Sequence, residues 1–190
     1  MKGGQGSSSW TQTFSNGKAY TVGAIVINNA VGNPLLNDGP YFLSGHLELD
    51  KEFGGYGPSN KRYDNILRAK RIPSSLGITD TLNDISSNTV IGVVATDAPL
   101  TRANLKRIAI MAHDGIAKSL NPAHTPMDGD TIFSISTNQD HKEQVLENVD
   151  VLALGSRASD CVARACNRAV YEATSIGRSK PGWKSLFSKK

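Results

Sequence analysis

Two apolar runs rich in β-branched residues constrain this chain most. "YTVGAIVI" spans Tyr20 to Ile27 and "TVIGVVAT" spans Thr89 to Thr96. Each has the length of a buried strand, and the first ends at the turn signal Asn28-Asn29. After the second run, Thr101 offers an N-cap. Leu105, Ile108, Ala109, Ala112, Ile116 and Leu120 then recur at three- and four-residue spacing, which predicts an amphipathic helix. "TIFSIST" predicts a strand. From Asp150 to Thr174, Leu154, Ala158, Val162, Ala165, Ala169 and Ala173 form a helical stripe of mostly small residues, suited to close packing against another layer. The order strand, loop, strand, helix, strand, helix is that of an α/β fold. At 190 residues the chain fits one domain with a real core.

Between these elements the pattern weakens. "KGGQGSSS" reads as a linker or a glycine loop. The stretch from Pro34 to Ser87 reads as an irregular functional segment, with Lys61, Arg62, Arg68, Lys70 and Arg71 as a solvated basic cluster. The formal charge of +4 arises in residues 177–190, which carry +5 and no acid, while the remainder stands at −1. A solvated basic end is expected there, and neither nucleic acid nor a membrane surface is expected as a partner. Cys161 and Cys166 lie five apart in a helical pattern and face different ways, as in a reduced, cytoplasmic protein. No run approaches the ~20 apolar residues of a membrane span, and the N-terminus has no signal-peptide core.

Four groups of residues bear on chemistry. Asp128 and Asp130, in "DGD" before the third strand, share one face of an extended segment. They suit proton shuttling or a divalent cation, and equally an ordinary turn. His113, His124, Asp114 and Asp128 form a possible metal set, but His113 and Asp114 face apart on the helix. His113 is therefore expected to cap or pack near the helix end. Lys2 precedes a glycine pair but not in phosphate-loop order. Thr89 follows Asn88 directly. It either opens a strand after a loop or is a nucleophile freed by a break at Asn88–Thr89, whose new α-amine serves as base.

The stretch from "NTVIGVVATDAPL" through "TPMDGDTIFSIST", with "KGGQGSSS", "YTVGAIVINNAVG" and "ARACNRAVYEATS" in the same order, resembles the L-aminopeptidase/D-amidase-esterase family. That family includes β-peptidyl aminopeptidases and endo-type nylon-oligomer hydrolases. The resemblance covers most of the chain outside residues 34–87 and 177–190. It implies a layered αββα sandwich and a precursor that cuts itself into two subunits, residues 1–88 closing the first and 89–176 forming the second. It also implies amide hydrolysis by a self-processing aminopeptidase. By position, Thr89 matches the nucleophile, Asn88 the residue left at the cut, and Asp128 with Asp130 the acid pair around the nucleophile. Asn29 matches the oxyanion-stabilising side chain, and Lys2 a further lysine of the site. The family implies no metal or organic cofactor, a small peptide or amide substrate, and several units assembled together. Its chains begin before the "KGG" loop, so the N-terminal part of the fold is expected to be missing here. The alternative expectation is a non-catalytic remnant that folds only as an oligomer or with a partner chain, in which Thr89 is a strand residue.

Overall fold

The computed structural model describes residues 1–37, 39–60, 88–138, 146–176 and 181–188. Four strands form one sheet in the order β1-β2-β3-β4: β1 is Gly4–Thr13, β2 Ala19–Asn29, β3 Thr89–Thr96 and β4 Thr131–Ser136. β1 and β3 each run antiparallel to β2, and β4 runs parallel to β3. Helix α1, Arg102–Ser119, connects β3 to β4, and helix α2, Asn148–Tyr171, follows β4. A short helix α3, Trp183–Phe187, ends the described chain.

The strand at Thr89–Thr96 has the bounds expected from its apolar run. Helix α1 starts where Thr101 accepts a hydrogen bond from the Asn104 N–H at 3.1 Å, and Ile108, Ala112, Ile116 and Leu120 are buried as their spacing requires. Strand β1 departs from the linker-or-loop expectation. Its glycines make it look unstructured, yet they let α2 approach the sheet. A Cβ on Gly6 would lie 2.0 Å from the Ala165 carbonyl oxygen, so no larger residue fits there. The small stripe of α2 is the other half of that contact, with Ala158, Ala165 and Ala169 fully buried.

Alternation along the strands gives the sheet two unlike faces. Tyr20, Val22, Ala24, Val26, Val90, Val94 and Ile132 point into a core closed by α1 and α2. On the opposite face Ile25, Ile27, Ile91, Phe133 and Ile135 are exposed, Ile27 at 60% and Phe133 at 58%. The described residues thus form one helical layer on one sheet, with the opposite sheet face open.

Residues 181–188 are not a solvated end. Trp183 is buried against Phe42, Tyr56, Tyr171 and Phe187, and its indole N–H donates to the Pro40 carbonyl at 3.3 Å. The basic cluster from Lys61 to Arg71, like most of the irregular 34–87 stretch, lies outside the described residues. Among the described residues no helix is long and apolar enough to cross a membrane.

Candidate functional site

One end of the sheet gathers the residues singled out above. Strand β2 ends at Asn29, and β3 begins at Thr89 directly opposite it in the antiparallel register. Strand β1 begins beside them, with Gly4 opposite Asn28. Just before it, a Cβ on Gly3 would meet the Asn28 carbonyl oxygen at 2.0 Å, so the Lys2-Gly3 segment runs tightly along the end of β2. Strand β4 is preceded by Asp128-Gly129-Asp130. Its pairing with β3 continues backwards as a parallel bridge between Asn88 and Asp128. Lys2, Asn29, Asn88, Thr89, Asp128 and Asp130 thus come from four separate segments to one rim.

The peptide between Asn88 and Thr89 is engaged from two sides. The Gly129 N–H donates to the Asn88 carbonyl oxygen at 3.1 Å. The Thr89 hydroxyl donates to the same oxygen, bringing its Oγ1 against the carbonyl group that precedes it. Gly129 also flanks the hydroxyl, since a Cβ there would lie 3.1 Å from Thr89 Oγ1. Asn88 is buried and Thr89 half-buried.

The two carboxylates hold main chain on either side of this peptide. Asp128 Oδ1 accepts the Val31 N–H at 3.1 Å, which fixes the turn just past Asn29. Its Oδ2 accepts from the Thr125 N–H at 3.1 Å and the Thr125 hydroxyl at 2.6 Å. Asp130 Oδ1 accepts the Val90 N–H at 2.8 Å, one residue beyond Thr89. Charge-assisted bonds of this kind are roughly twice as strong as neutral ones, so the pair sets the separation of β2, β3 and the 121–130 loop. Lys2 donates its Nζ to the Gly3 carbonyl at 2.9 Å, and its N–H to the Pro181 carbonyl at 3.0 Å.

Of the two expectations for His113, capping or packing near the end of α1, the cap is Leu120 instead. His113 sits within the helix and meets His124 across the loop, with ring centroids 4.4 Å apart. His124 Nδ1 contacts Asp130 Oδ2 at 2.7 Å. The set weighed for a metal is therefore divided differently: the two histidines join Asp130 rather than Asp114. Among the described residues no three His, Cys, Asp or Glu side chains are arranged to hold a metal ion. Sequence reasoning missed the Gly129 N–H and the link from His113 and His124 to Asp130, having grouped the histidines with Asp114 and Asp128. A main-chain donor leaves no mark in residue types, and His113 and His124 are eleven residues apart on different elements.

The model of peptidase family S58 matches residues 1–181. An uncharacterised aminopeptidase of Mycobacterium tuberculosis H37Rv is 36% identical over 195 residues, covering 98% of this chain and 53% of its own. A 6-aminohexanoate-oligomer endohydrolase of Paenarthrobacter ureafaciens is 32% identical over 54 residues, 28% of this chain and 15% of that protein. In fold, the chain is similar to the L-aminopeptidase D-Ala-esterase/amidase of Ochrobactrum anthropi, described as a variant of the Ntn hydrolase fold. That match has a TM-score of 0.59 at 24% identity, over 93% of this chain and 42% of that one. The PH0078 protein of Pyrococcus horikoshii OT3 gives a TM-score of 0.56 at 26% identity, over 95% of this chain and 43% of that one. The chain spans about half the length of the curated mycobacterial relatives it matches.

Proposed function

The chain belongs to peptidase family S58, and from that premise we propose that Thr89 is an amide-cleaving nucleophile released by a cut at Asn88–Thr89. In the cut, Thr89 Oγ1 adds to the Asn88 carbonyl carbon. The C–N bond breaks, its electron pair takes a proton to become the Thr89 α-amine, and an ester joins Asn88 to Oγ1. Water then opens the ester, leaving a carboxylate on Asn88 and a free Thr89. The engaged carbonyl carries this reading: Gly129 donates to the Asn88 oxygen at 3.1 Å while the Thr89 hydroxyl lies against it. A donor aimed at the oxygen where negative charge develops supplies typically several kcal/mol of transition-state stabilisation.

In turnover the freed α-amine, with an ordinary value near ~8, takes the hydroxyl proton. Thr89 then attacks the amide of a small peptide or aminoacyl substrate and passes through a threonyl ester. Asn29, opposite Thr89 across the ladder, is the oxyanion donor. Asp128 and Asp130 keep the β2 and β3 ends in place, and Lys2 flanks the site. Metal and organic cofactors have no step in this scheme. The open apolar face favours a condition on it. Ile25, Ile27, Ile91, Phe133 and Ile135 need a covering layer, which points to a further segment or a second unit in the active assembly. A chain without that cover is the catalytically silent alternative.

Release of a chromophore from aminoacyl p-nitroanilides tests turnover. The chain is assayed alone and together with the N-terminal half of a full-length relative, each beside Thr89→Ala. Thr89-dependent release in either state supports the proposal. Release that survives Thr89→Ala contradicts it.

A further inference from the structure

Behind Asp130, the two histidines close a ring of contacts that leads from the rim to solvent. His124 Nδ1 lies 2.7 Å from Asp130 Oδ2. His124 Nε2 lies 3.2 Å from His113 Nδ1. His113 Nε2 lies 3.2 Å from the Asp130 main-chain oxygen. The Asp130 side chain is only 4% exposed, whereas that of His124 is 36% exposed.

Hydrogen counting constrains the charge of this ring. The Asp130 main-chain oxygen only accepts, so His113 Nε2 must carry a hydrogen. An ionised Asp130 carboxylate also only accepts, so His124 Nδ1 must carry one too. The contact between the rings needs a third. Two neutral imidazoles bring two hydrogens between them, one short of the requirement. Satisfying all three contacts therefore takes one further proton, which makes the carboxylate and the pair together electrically neutral. Neutrality suits a carboxylate withdrawn from water. His124 also holds a left-handed backbone conformation, φ +54°, an unusual region for a residue other than glycine and one found where local contacts over-determine the chain.

We propose that His113, His124 and Asp130 form a relay that shares one added proton and thereby fixes Asp130 against the Val90 N–H beside Thr89. The histidines are positioning residues in this account. They touch neither Thr89 nor the bond it attacks, and act through the carboxylate that holds the start of β3. Among the described residues, the titratable groups bonded to the rings are each other and Asp130. Asp128 belongs to the same loop, behind Thr125, and the exposed Asp114 follows His113 on α1. Without the third hydrogen the contact between the rings is lost, and His113 no longer steadies the His124 ring against Asp130. The catalytic importance of the relay rests on Thr89 being the nucleophile, whereas its existence does not.

Two readouts keep those claims apart. Imidazole nitrogen NMR on the folded chain reports the hydrogens directly. A hydrogen between His113 Nδ1 and His124 Nε2 is expected, read as a nitrogen–nitrogen coupling across that contact. His113→Gln, whose amide preserves the donor to the Asp130 carbonyl, is expected to abolish the coupling. Absence of the coupling in the parent chain overturns the relay whatever Thr89 does. The second readout is the rate of the Asn88–Thr89 cut, in the chain or in its assembly with the preceding family segment. His124→Ala is expected to slow it about tenfold, the worth of one charge-assisted hydrogen bond. His124→Asn replaces Nδ1 with an amide donor to Asp130 and is expected to restore the rate. An unchanged rate in His124→Ala overturns the positioning role. Coupled rings without any cut leave the relay standing and count against the nucleophile instead.

Discussion

Gly129 donates its backbone N–H to the carbonyl of Asn88 at 3.1 Å, one residue before the hydroxyl that lies against the same group. This contact is the parallel β3–β4 ladder carried one step beyond its strands. A donor to the oxygen of the bond proposed for cleavage therefore arises from sheet pairing alone.

Gly129→Ala tests the space around the hydroxyl. The added Cβ would lie 3.1 Å from Thr89 Oγ1, tighter than ordinary contact, so the hydroxyl must turn or shift. Because Gly129 is exposed, the unfolding midpoint should stay within about 0.5 kcal/mol of the parent. The cut at Asn88–Thr89 should slow at least about tenfold, as a 1.4 kcal/mol change in barrier gives. Time-resolved intact mass and a denaturant titration measure the two effects.

Glu52→Ala should act on stability and not on chemistry. Arg164, with its side chain 7% exposed, pairs with Glu52 at 2.5 Å and donates to the Ser9 carbonyl at 2.8 Å. Removal of the carboxylate leaves a guanidinium buried without its counter-charge, at a cost of about 3 kcal/mol. Urea unfolding should show this loss. Glu52→Gln should recover part of it by keeping a hydrogen-bond acceptor.

Burial pushes the Cys166 thiol up to about 12 and raises that of Cys161 as well. In the unfolded chain a thiol ionises near ~8.5. The unfolded state therefore loses protons first as pH rises. Stability from these groups is fully present below ~8.5 and falls above it, by at most about 1.4 kcal/mol per pH unit for each thiol. Denaturant midpoints at pH 7, 9 and 10 should decline in that order. Cys161→Ala/Cys166→Ala should flatten the decline.

The open sheet face should make the isolated chain adhesive. Ile27, Ile91 and Phe133 are each about half exposed or more on one surface, a pattern that marks an interface. Dye binding and concentration-dependent sedimentation should both be present. Threonine at all three positions keeps strand propensity and should remove both. Persistence of either would place the adhesive surface elsewhere.

The elements that bury apolar side chains were legible from their spacing. Val90 and Val94 on β3, Ile108 to Ile116 on α1 and Leu154 to Ala169 on α2 all lie where period two or 3.6 puts them. Strand β1 was not, because its inward positions include Gly6 and Ser8. Their role is to let α2 come close, with the Ser8 hydroxyl donating to the Cys161 carbonyl at 2.7 Å. Asn29, Thr89, Asp128 and Asp130 were found through family motifs, and the fold brings them to one rim. His113 and His124 were grouped from sequence as possible metal ligands, but their link to Asp130 was not foreseen, because it depends on a contact between a helix and a loop.

The most direct test is the mass of the purified chain and the N-terminal sequence of its pieces, beside Thr89→Ala. The chain is taken alone and with the preceding family segment supplied. Two pieces are expected from the wild type, the second beginning Thr-Val-Ile-Gly, with the variant remaining whole. An uncut wild type in both states, or a cut that persists in Thr89→Ala, would contradict the assignment of Thr89 as the nucleophile.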